Sequence, residues 1–435
     1  MSLIIILIAI VAVYGITAYY IHKKNLFQDH ISFYGPLMAI KSKRVGFFDF
    51  FVRFSKFFRV YGTIGAAMVG VLSVMMVVLL ILSFQITIRN PPKPTGPYEL
   101  QNLLAIPGIN DYIPLTIAVI IALAVAIVVH EFGHAILCRV EKIRLDSIGL
   151  ILAVIPIGAF VEPDEEDVKN ARGMPKIRMY GAGITNNILV GFVCFILMFG
   201  LLNLAVPVST PLVMGVYSNS PAMISGISPD SIITDINGVP IDSREAVAAA
   251  MEYTKPGEVA AITVLHEGYR KTYETKLGEW PDFSDGIERS SGFIGVSYYD
   301  SNSVKNIFSN IATPLGIIYL MALPINIIFI GGDWSYLEVL VIDTIQQSAW
   351  DVPFPGYWVI IQILFWCGWF NLAVGVFNAL PLIPLDGGYI LRESVERALE
   401  NRSLKKYSDN IVWTISWIVL FLLISIFMIP VIAHA

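Results

Sequence analysis

Seventeen residues without a charge, Ile113 to Val129, run directly into His130-Glu131-Phe132-Gly133-His134. A stretch this apolar folds as a helix in lipid, where every backbone polar group must find its partner inside the segment. On a helix His130 and His134 stand four residues apart on one face, so both imidazoles can reach one metal ion. Glu131, beside them, can take a proton from a metal-activated water and pass it to a leaving amine, which is hydrolytic chemistry. A five-residue pattern with two free positions also arises by chance, and buried histidines are often only hydrogen-bonded core residues. Inside an apolar spanning segment, however, polar residues are costly to place and point to a functional site.

Elsewhere the chain has too few charges to coat a water-facing surface: it is 56% hydrophobic and 14% charged over 435 residues, with a mean hydropathy of +0.69. That composition implies a polytopic α-helical membrane protein. The net charge of -5 says little, since the informative quantity is which loops hold Lys and Arg; nucleic acid is not an expected partner. Cys138, Cys194 and Cys367 lie within or at the ends of apolar segments, so neither a disulfide framework nor cysteine ligation of a metal is expected.

About six full spans and one Pro-broken membrane hairpin are expected. Leu3 to Ile21 is long enough for a bilayer core of about 30 Å. With Lys23 and Lys24 after it and no basic residue before it, it reads as an uncleaved anchor with its amino end outside. Lys23 to Arg59 carries eight basic residues against Asp29 and Asp49, a cytoplasmic signature. Within it Phe47, Phe50, Phe51, Phe54, Phe57 and Phe58 oppose Asp49, Arg53 and Lys56, which suits a helix lying in the headgroup plane. The second span, about Ile64 to Ile88, is preceded by Gly62 and carries Ala66 and Gly70, a small-residue stripe for close helix contact.

The third span, Ile113 to about Leu137, holds the histidines near its cytoplasmic end, since Arg139, Lys142 and Arg144 follow. Ile143 to Val161, interrupted by Gly149, Pro156 and Gly158, reads as a β-hairpin whose edge could pair with an extended peptide, or as a simple connecting loop. Met179 to about Val206 is the fourth span. Ile307 to Ile330, broken by Pro314 and Pro324 and followed by the acidic Gly331 to Pro355, is expected as the broken hairpin. Tyr357 to about Leu380 and about Ile411 to Ile432 complete the spans, with Arg392 to Lys406 cytoplasmic between them.

Between Pro207 and about Val296 the pattern changes to short strands and turns. Ser220-Pro221-Ala222, followed by Ser228 to Ile241 with its Ile236-Asn237-Gly238 turn, resembles a PDZ domain. In that resemblance Asp242 to Tyr253 supplies a helix, and Val213-Met214-Gly215-Val216 is the nearest candidate for a carboxylate-binding loop. A peptide-binding role and a purely steric one both fit.

A catalytic zinc usually has three protein ligands and an open fourth position. The remaining histidines, His22, His30, His266 and His434, fall in loops, the PDZ-like region or a terminus, so a carboxylate in the membrane is the better third ligand. Asp386 stands in Leu385-Asp386-Gly387-Gly388 after the helix-breaking Pro381 and Pro384, at the same cytoplasmic depth as His134. Asn371 and Asn378 share a helical face, where amides can bind a peptide or an oxyanion, or join helices.

His130 to His134 together with Asn378 to Gly388 resemble the site-2 protease family of intramembrane zinc metalloproteases. Gly158-Ala159-Phe160-Val161 and Ala182 to Asn187 resemble that family's hairpin and its Gly-x-x-x-Asn element, here with Ile184 after the glycine. The resemblance implies Zn²⁺ on His130, His134 and Asp386, with Glu131 as general base and then acid and Asn378 at the oxyanion. It implies substrate contacts at Asn378, Asn187, Gly158, Ala159, Phe160 and Val161. The substrate would be the single transmembrane helix of another membrane protein, trimmed first by a different protease. The cell membrane is the expected location, with the amino terminus and PDZ-like domain outside and the site near the cytoplasm.

On this reading the chain divides into N-terminal spans with an interfacial helix (1–111), the first part of the core (112–206), the PDZ-like insertion (207–297) and the broken hairpin (298–355). A core span with Asn378 and Asp386 (356–390) and a cytoplasmic helix with the last span (391–435) follow. Two other classes remain open: a membrane-anchored metallopeptidase acting on soluble or misfolded chains, and an ion-binding transporter or scaffold with a PDZ receptor module.

Overall fold

Apolar runs become helices here, and polar or glycine-containing breaks end them. The computed structural model describes residues 3–24, 26–27, 30–35, 37–102, 105–153, 155–281, 289–313, 315–316, 320, 338–400 and 404–435. In chain order, α1 (Leu3–Lys24) is followed by β1 (Ile31–Tyr34), β2 (Leu37–Ser42), α2 (Asp49–Val52) and α3 (Ser55–Arg89). Then come α4 (Ile117–Val140), β3 (Leu145–Ala153), β4 (Ile155–Pro163), α5 (Glu165–Asn170) and α6 (Met174–Leu202). Next are β5 (Val206–Pro207), β6 (Leu212–Val216), α7 (Pro221–Ser225), β7 (Ser231–Ile236), β8 (Val239–Pro240) and α8 (Arg244–Met251). They lead to β9 (Val259–His266), β10 (Tyr269–Lys276), β11 (Val296–Tyr298), α9 (Ser301–Ile311), α10 (Glu338–Val341) and β12 (Trp350–Asp351). The chain closes with α11 (Tyr357–Asn378), α12 (Asp386–Leu399) and α13 (Ser408–Ala433).

Among the described residues, α3, α4, α6, α11 and α13 are long and apolar enough to cross a membrane. The first expected span is helical as α1. Ile64, Val71 and Val74 on α3 are 67%, 68% and 66% exposed, a surface that lipid accepts and water does not. Contacts divide the chain into two units, one of the residues up to Phe195 and from Ile363 onward, the other of Ile196–Leu320 and the stretch leading to Gln362.

In the first unit, α4 starts at Thr116, whose Oγ1 accepts from Val119 N at 3.3 Å. Its far end is tied to two neighbours, because buried Glu141 takes Arg178 Nη1 at 2.9 Å and Arg59 Nε at 3.5 Å. Small residues bring α3, α4 and α6 together. A Cβ at Gly133 would lie 2.5 Å from Ala182 O, and one at Gly65 would overlap the Thr185 side chain. Gly62 and Ala66 share in this contact, but Gly70 faces open space, so the expected stripe bends away at its third member.

The hairpin expected at 143–161 forms as β3 and β4, with Gly149 opposite Phe160 and Ile151 opposite Gly158. It belongs to a larger antiparallel sheet of order β1-β2-β3-β4, in which β4 is an edge. The pairing of Ala39 with Ile151 corrects the reading of Lys23 to Arg59 as loop and surface helix. So does the phenylalanine cluster. A 3-10 turn (Gly46–Phe48), α2 and the start of α3 replace a single interfacial helix. Phe48 turns inward against Ala135, Cys138 and Met179, whereas Phe47 and Phe57 remain exposed.

The second unit is built on a sheet of order β10-β9-β7-β6-β11, with β8 on β7. Ile262 and Val264, alternate residues of β9, and Ile233 and Ile236, brought to one side by a bulge in β7, face a core shared with Val213, Val247 and Ile294. Asn237 and Gly238, at φ +53° and +81°, make the tight turn from β7 to β8. Val213 to Val216 lies in β6, between β7 and β11, so it is a strand and not the loop expected there. Lys305 on α9 donates to the carbonyls of Leu202, Asn203 and Ala205 at 2.8, 2.9 and 2.8 Å, closing the carboxyl end of α6. Most of the expected Pro-broken hairpin, Pro314 and Pro324 included, lies outside the described residues.

Candidate metal centre

One turn of α4 separates His130 from His134 and brings their Nε2 atoms to 3.1 Å from each other. His134 Nδ1 donates to Met179 O of α6 at 2.8 Å, which leaves the Nε2 lone pair free to bind a cation. Pro381 and Pro384 follow the end of α11, and the chain re-enters helix at Asp386, the first residue of α12. Gly387 and Gly388 are needed at this bend: a Cβ on Gly388 would stand 2.6 Å from Ile383 N. Asp386 Oδ2 lies 3.0 Å from His130 Nε2 and 3.2 Å from His134 Nε2. That oxygen is buried and, apart from these approaches, has no hydrogen-bond partner among the described residues.

The triangle fits zinc. Tetrahedral coordination with ligand bonds of about 2.0–2.1 Å sets donors about 3.3 Å apart. The observed sides are 3.0, 3.1 and 3.2 Å, and two imidazoles with one carboxylate are the donor types zinc takes. Gly183 of α6 forms the floor under both rings, where a Cβ would stand 2.5 Å from His134 Nε2 and 2.7 Å from His130 Cε1.

Glu131 Oε2 accepts from the Val161 amide of edge strand β4 at 2.9 Å, leaving its other oxygen unengaged by that bond. The two histidines, Glu131 and Asp386 line a cavity of about 270 Å³ with Phe160, Val161 and Tyr180. Phe160 and Val161 also line a wider groove of about 810 Å³, bordered by Ala39, Lys41, Ile151 and Tyr389. At its rim Glu162 accepts from Ser147 Oγ at 2.5 Å and pairs with Lys41 Nζ at 3.0 Å. The Ser147 hydroxyl and then Lys41 hold the Glu162 carboxyl below its usual range, and Glu162 in turn raises Lys41.

Not every residue singled out in the sequence reaches this cavity. Asn187 is fully buried and donates to Ala126 O at 3.1 Å, and Asn378 donates to Val374 O of its own helix at 3.0 Å. Asn371 likewise donates to Cys367 O at 2.8 Å. Gly158 and Ala159 lie on β4 opposite Ile151 and Leu150. Four contributors were not anticipated: Met179 O, the Gly183 floor, the Val161 amide as partner of Glu131, and Asn186. Asn186 donates to Val129 O at 3.2 Å and accepts from Tyr61 Oη at 2.7 Å, bracing the turn that carries His130. Of the four, Gly183 and Asn186 left a sequence signal, since both fall in the Ala182 to Asn187 stretch, though that signal gave neither of them these roles.

Residues 118–423 match Peptidase family M50. The chain is 26% identical over 274 residues to zinc metalloprotease RasP of Shouchella clausii, covering 58% of this chain and 60% of RasP. It is 26% identical over 295 residues to an uncharacterized protein of Methanocaldococcus jannaschii, covering 68% and 61%. It is 28% identical over 130 residues to a membrane-bound transcription factor site-2 protease homolog of Arabidopsis thaliana, covering 28% and 25%. The chain thus spans about three fifths of the length of the first two relatives. With the matched region taking in both histidines, Asp386 and four of the five candidate spans, the chain belongs to peptidase family M50, the site-2 protease family of membrane zinc metalloproteases.

Proposed function

We propose that the protein is an intramembrane zinc metalloprotease that hydrolyses peptide bonds within transmembrane segments of other membrane proteins. The observation that carries this reading is the meeting of His130, His134 and Asp386 beside Glu131 and a strand edge that is unpaired among the described residues. His130, His134 and Asp386 would hold the ion, which supplies Lewis-acid activation of a water and of the scissile carbonyl. Glu131 takes the proton of the attacking water and delivers it to the leaving amine, with Val161 N–H holding one carboxylate oxygen and leaving the other for the proton.

A substrate helix hides its backbone in its own hydrogen bonds, so it must unwind before it can be cut. Edge strand β4, from Gly158 to Val161, offers replacement bonds by strand addition through its outward backbone groups other than the Val161 amide, which Glu131 takes. For Asn378 to meet the oxyanion its amide would have to leave Val374 O, and Asn187 would act by holding α4 through Ala126 O. The basic residues Arg139, Lys142 and Arg144 just beyond His134 support a site near the cytoplasmic face. The sheet of the second unit is read as PDZ-like and external, selecting substrates already shortened by another protease. A groove of about 320 Å³ between α8 and the stretch from Gly292 to Tyr298 is the place for a peptide end.

The test is Glu131→Gln in the full chain, reconstituted in vesicles with a single-span substrate. Zinc content is expected to stay near the wild-type value while cleavage falls by about 10²–10⁴-fold, the range for a lost general acid–base. Cleavage at the wild-type rate would remove Glu131 from the chemistry. Ion flux with no cleavage of any spanning substrate by the wild type would favour the transporter instead.

A further inference from the structure

One buried carboxylate close to the centre has no part in the chemistry above. Glu393 lies seven residues after Asp386 on α12, two turns along and on the same face. Its side chain, 6% exposed, reaches the amino end of α6, where it accepts from Gly173 N and pairs with Lys176 Nζ at 3.4 Å. A carboxylate there also meets the positive end of the α6 dipole.

Two more residues extend this face of α12 in helical register. Tyr389 stacks on Tyr180 of α6, ring centroids 4.9 Å apart and planes 13° from parallel. Arg397 lies over Gly173, where a Cβ would stand 2.8 Å from its Nη1. The same first turns of α6 carry Met179 O, which orients His134, and Gly183, which supports both rings. One helix therefore touches both halves of the centre: the histidines directly, and Asp386 through the seating of α12.

We propose that Glu393 is the positioning residue for Asp386, a latch that seats α12 on the amino end of α6 and so presents the Asp386 carboxylate to His130 and His134. The inference rests on the reading of those three residues as the zinc site. Loss of an outer-shell support of this kind lowers metal affinity by about 10–100-fold.

Zinc affinity of the full-length protein in detergent, read by competition with a chromophoric chelator, tests it without any proteolysis assay. Glu393→Ala is expected to weaken zinc binding about 10–100-fold. Glu393→Gln, which keeps an oxygen for Gly173 N, should recover most of that loss. In a Asp386→Ala background Glu393→Ala should cost nothing further, because a residue acting through Asp386 has nothing left to position. Lys176→Met, a milder change to the same latch, should follow the same pattern and carries the comparison if Glu393→Ala does not fold. Unchanged zinc affinity in both latch variants, or an equal loss with and without Asp386, overturns the proposal. Failure of the wild type to bind zinc overturns the metal reading itself and is seen before any variant is compared.

Discussion

Replacing Gly183 by Ala should empty the metal centre while leaving the fold standing. The added methyl would lie 2.5 Å from His134 Nε2, 2.7 Å from His130 Cε1 and 2.8 Å from His130 Nδ1. Ordinary carbon contacts are about 3.5–4.0 Å, so each ring must retreat by about 1 Å. Metal sites accept errors of about 0.2 Å in ligand distance, so the displaced rings cannot both serve one ion with Asp386. A zinc affinity at least about 100-fold lower is expected, or roughly 2.7 kcal/mol. Overpacking costs about 1–3 kcal/mol, but Ala is about 1 kcal/mol better than Gly inside a helix, so the net loss of fold stability is about 0–2 kcal/mol, less than the loss of metal binding. Chelator competition measures the first quantity and a thermal melt by circular dichroism the second. Gly200→Ala is the control on the same helix, since its Cβ would meet nothing within 4 Å, and it should bind zinc normally. Zinc affinity within threefold of wild type in Gly183→Ala would refute the placement of the rings against that face.

Val161→Pro removes the amide that holds Glu131 at an edge strand, where proline is tolerated. A hydrogen bond to a charged group contributes roughly 1.5–3 kcal/mol, so kcat should fall about 10–150-fold with zinc content unchanged and Val161→Ala near normal; wild-type kcat in the proline variant removes the amide from the mechanism. The Glu162 cluster predicts an acid dependence. Its carboxyl is held below the ordinary value by Ser147 and Lys41, so its contribution is fully present above the unfolded pKa and is lost as pH falls through the lower, folded one. Because the Glu162 side chain is 45% exposed, Glu162→Gln should cost at most about 1 kcal/mol at neutral pH. Melting temperatures of the two proteins should converge in acid, and a constant gap down to pH 3 would exclude the carboxylate as its cause.

What the sequence disclosed follows from how local each signal is. His130 and His134 share a helical face by spacing alone, and the glycines after Asp386 announce a tight bend, so the three side chains that meet in the structure could be picked out before any fold was known. The β3–β4 hairpin was legible too, because its strands are neighbours in the chain and its turn residues lie between them. Strand β2 was not, since it pairs with β3 more than a hundred residues away, and a short mixed strand carries no mark of such a partner. The phenylalanines around α2 misled for a related reason. Periodicity assigns Phe47, Phe50, Phe51, Phe54, Phe57 and Phe58 one face of a single helix, but the segment folds as a 3-10 turn, α2 and the start of α3, and Phe48, left out of that face, is the one that packs under α4. Glu393 and Lys305 carry no sequence signal beyond their charge; only the fold shows that each ends on α6 or the residue before it.

Strand β4 turns alternate side chains to opposite faces of its sheet, and Phe160 and Glu162 share the side that walls the wide groove with Ile151 and Lys41. A peptide added to that edge would inherit the same two-residue rhythm. Its odd positions would meet one environment and its even positions another. A cleavage-site library should therefore show preference at every second residue and indifference between, a comb in place of a contiguous motif, whose phase is set by the one edge amide that Glu131 already occupies.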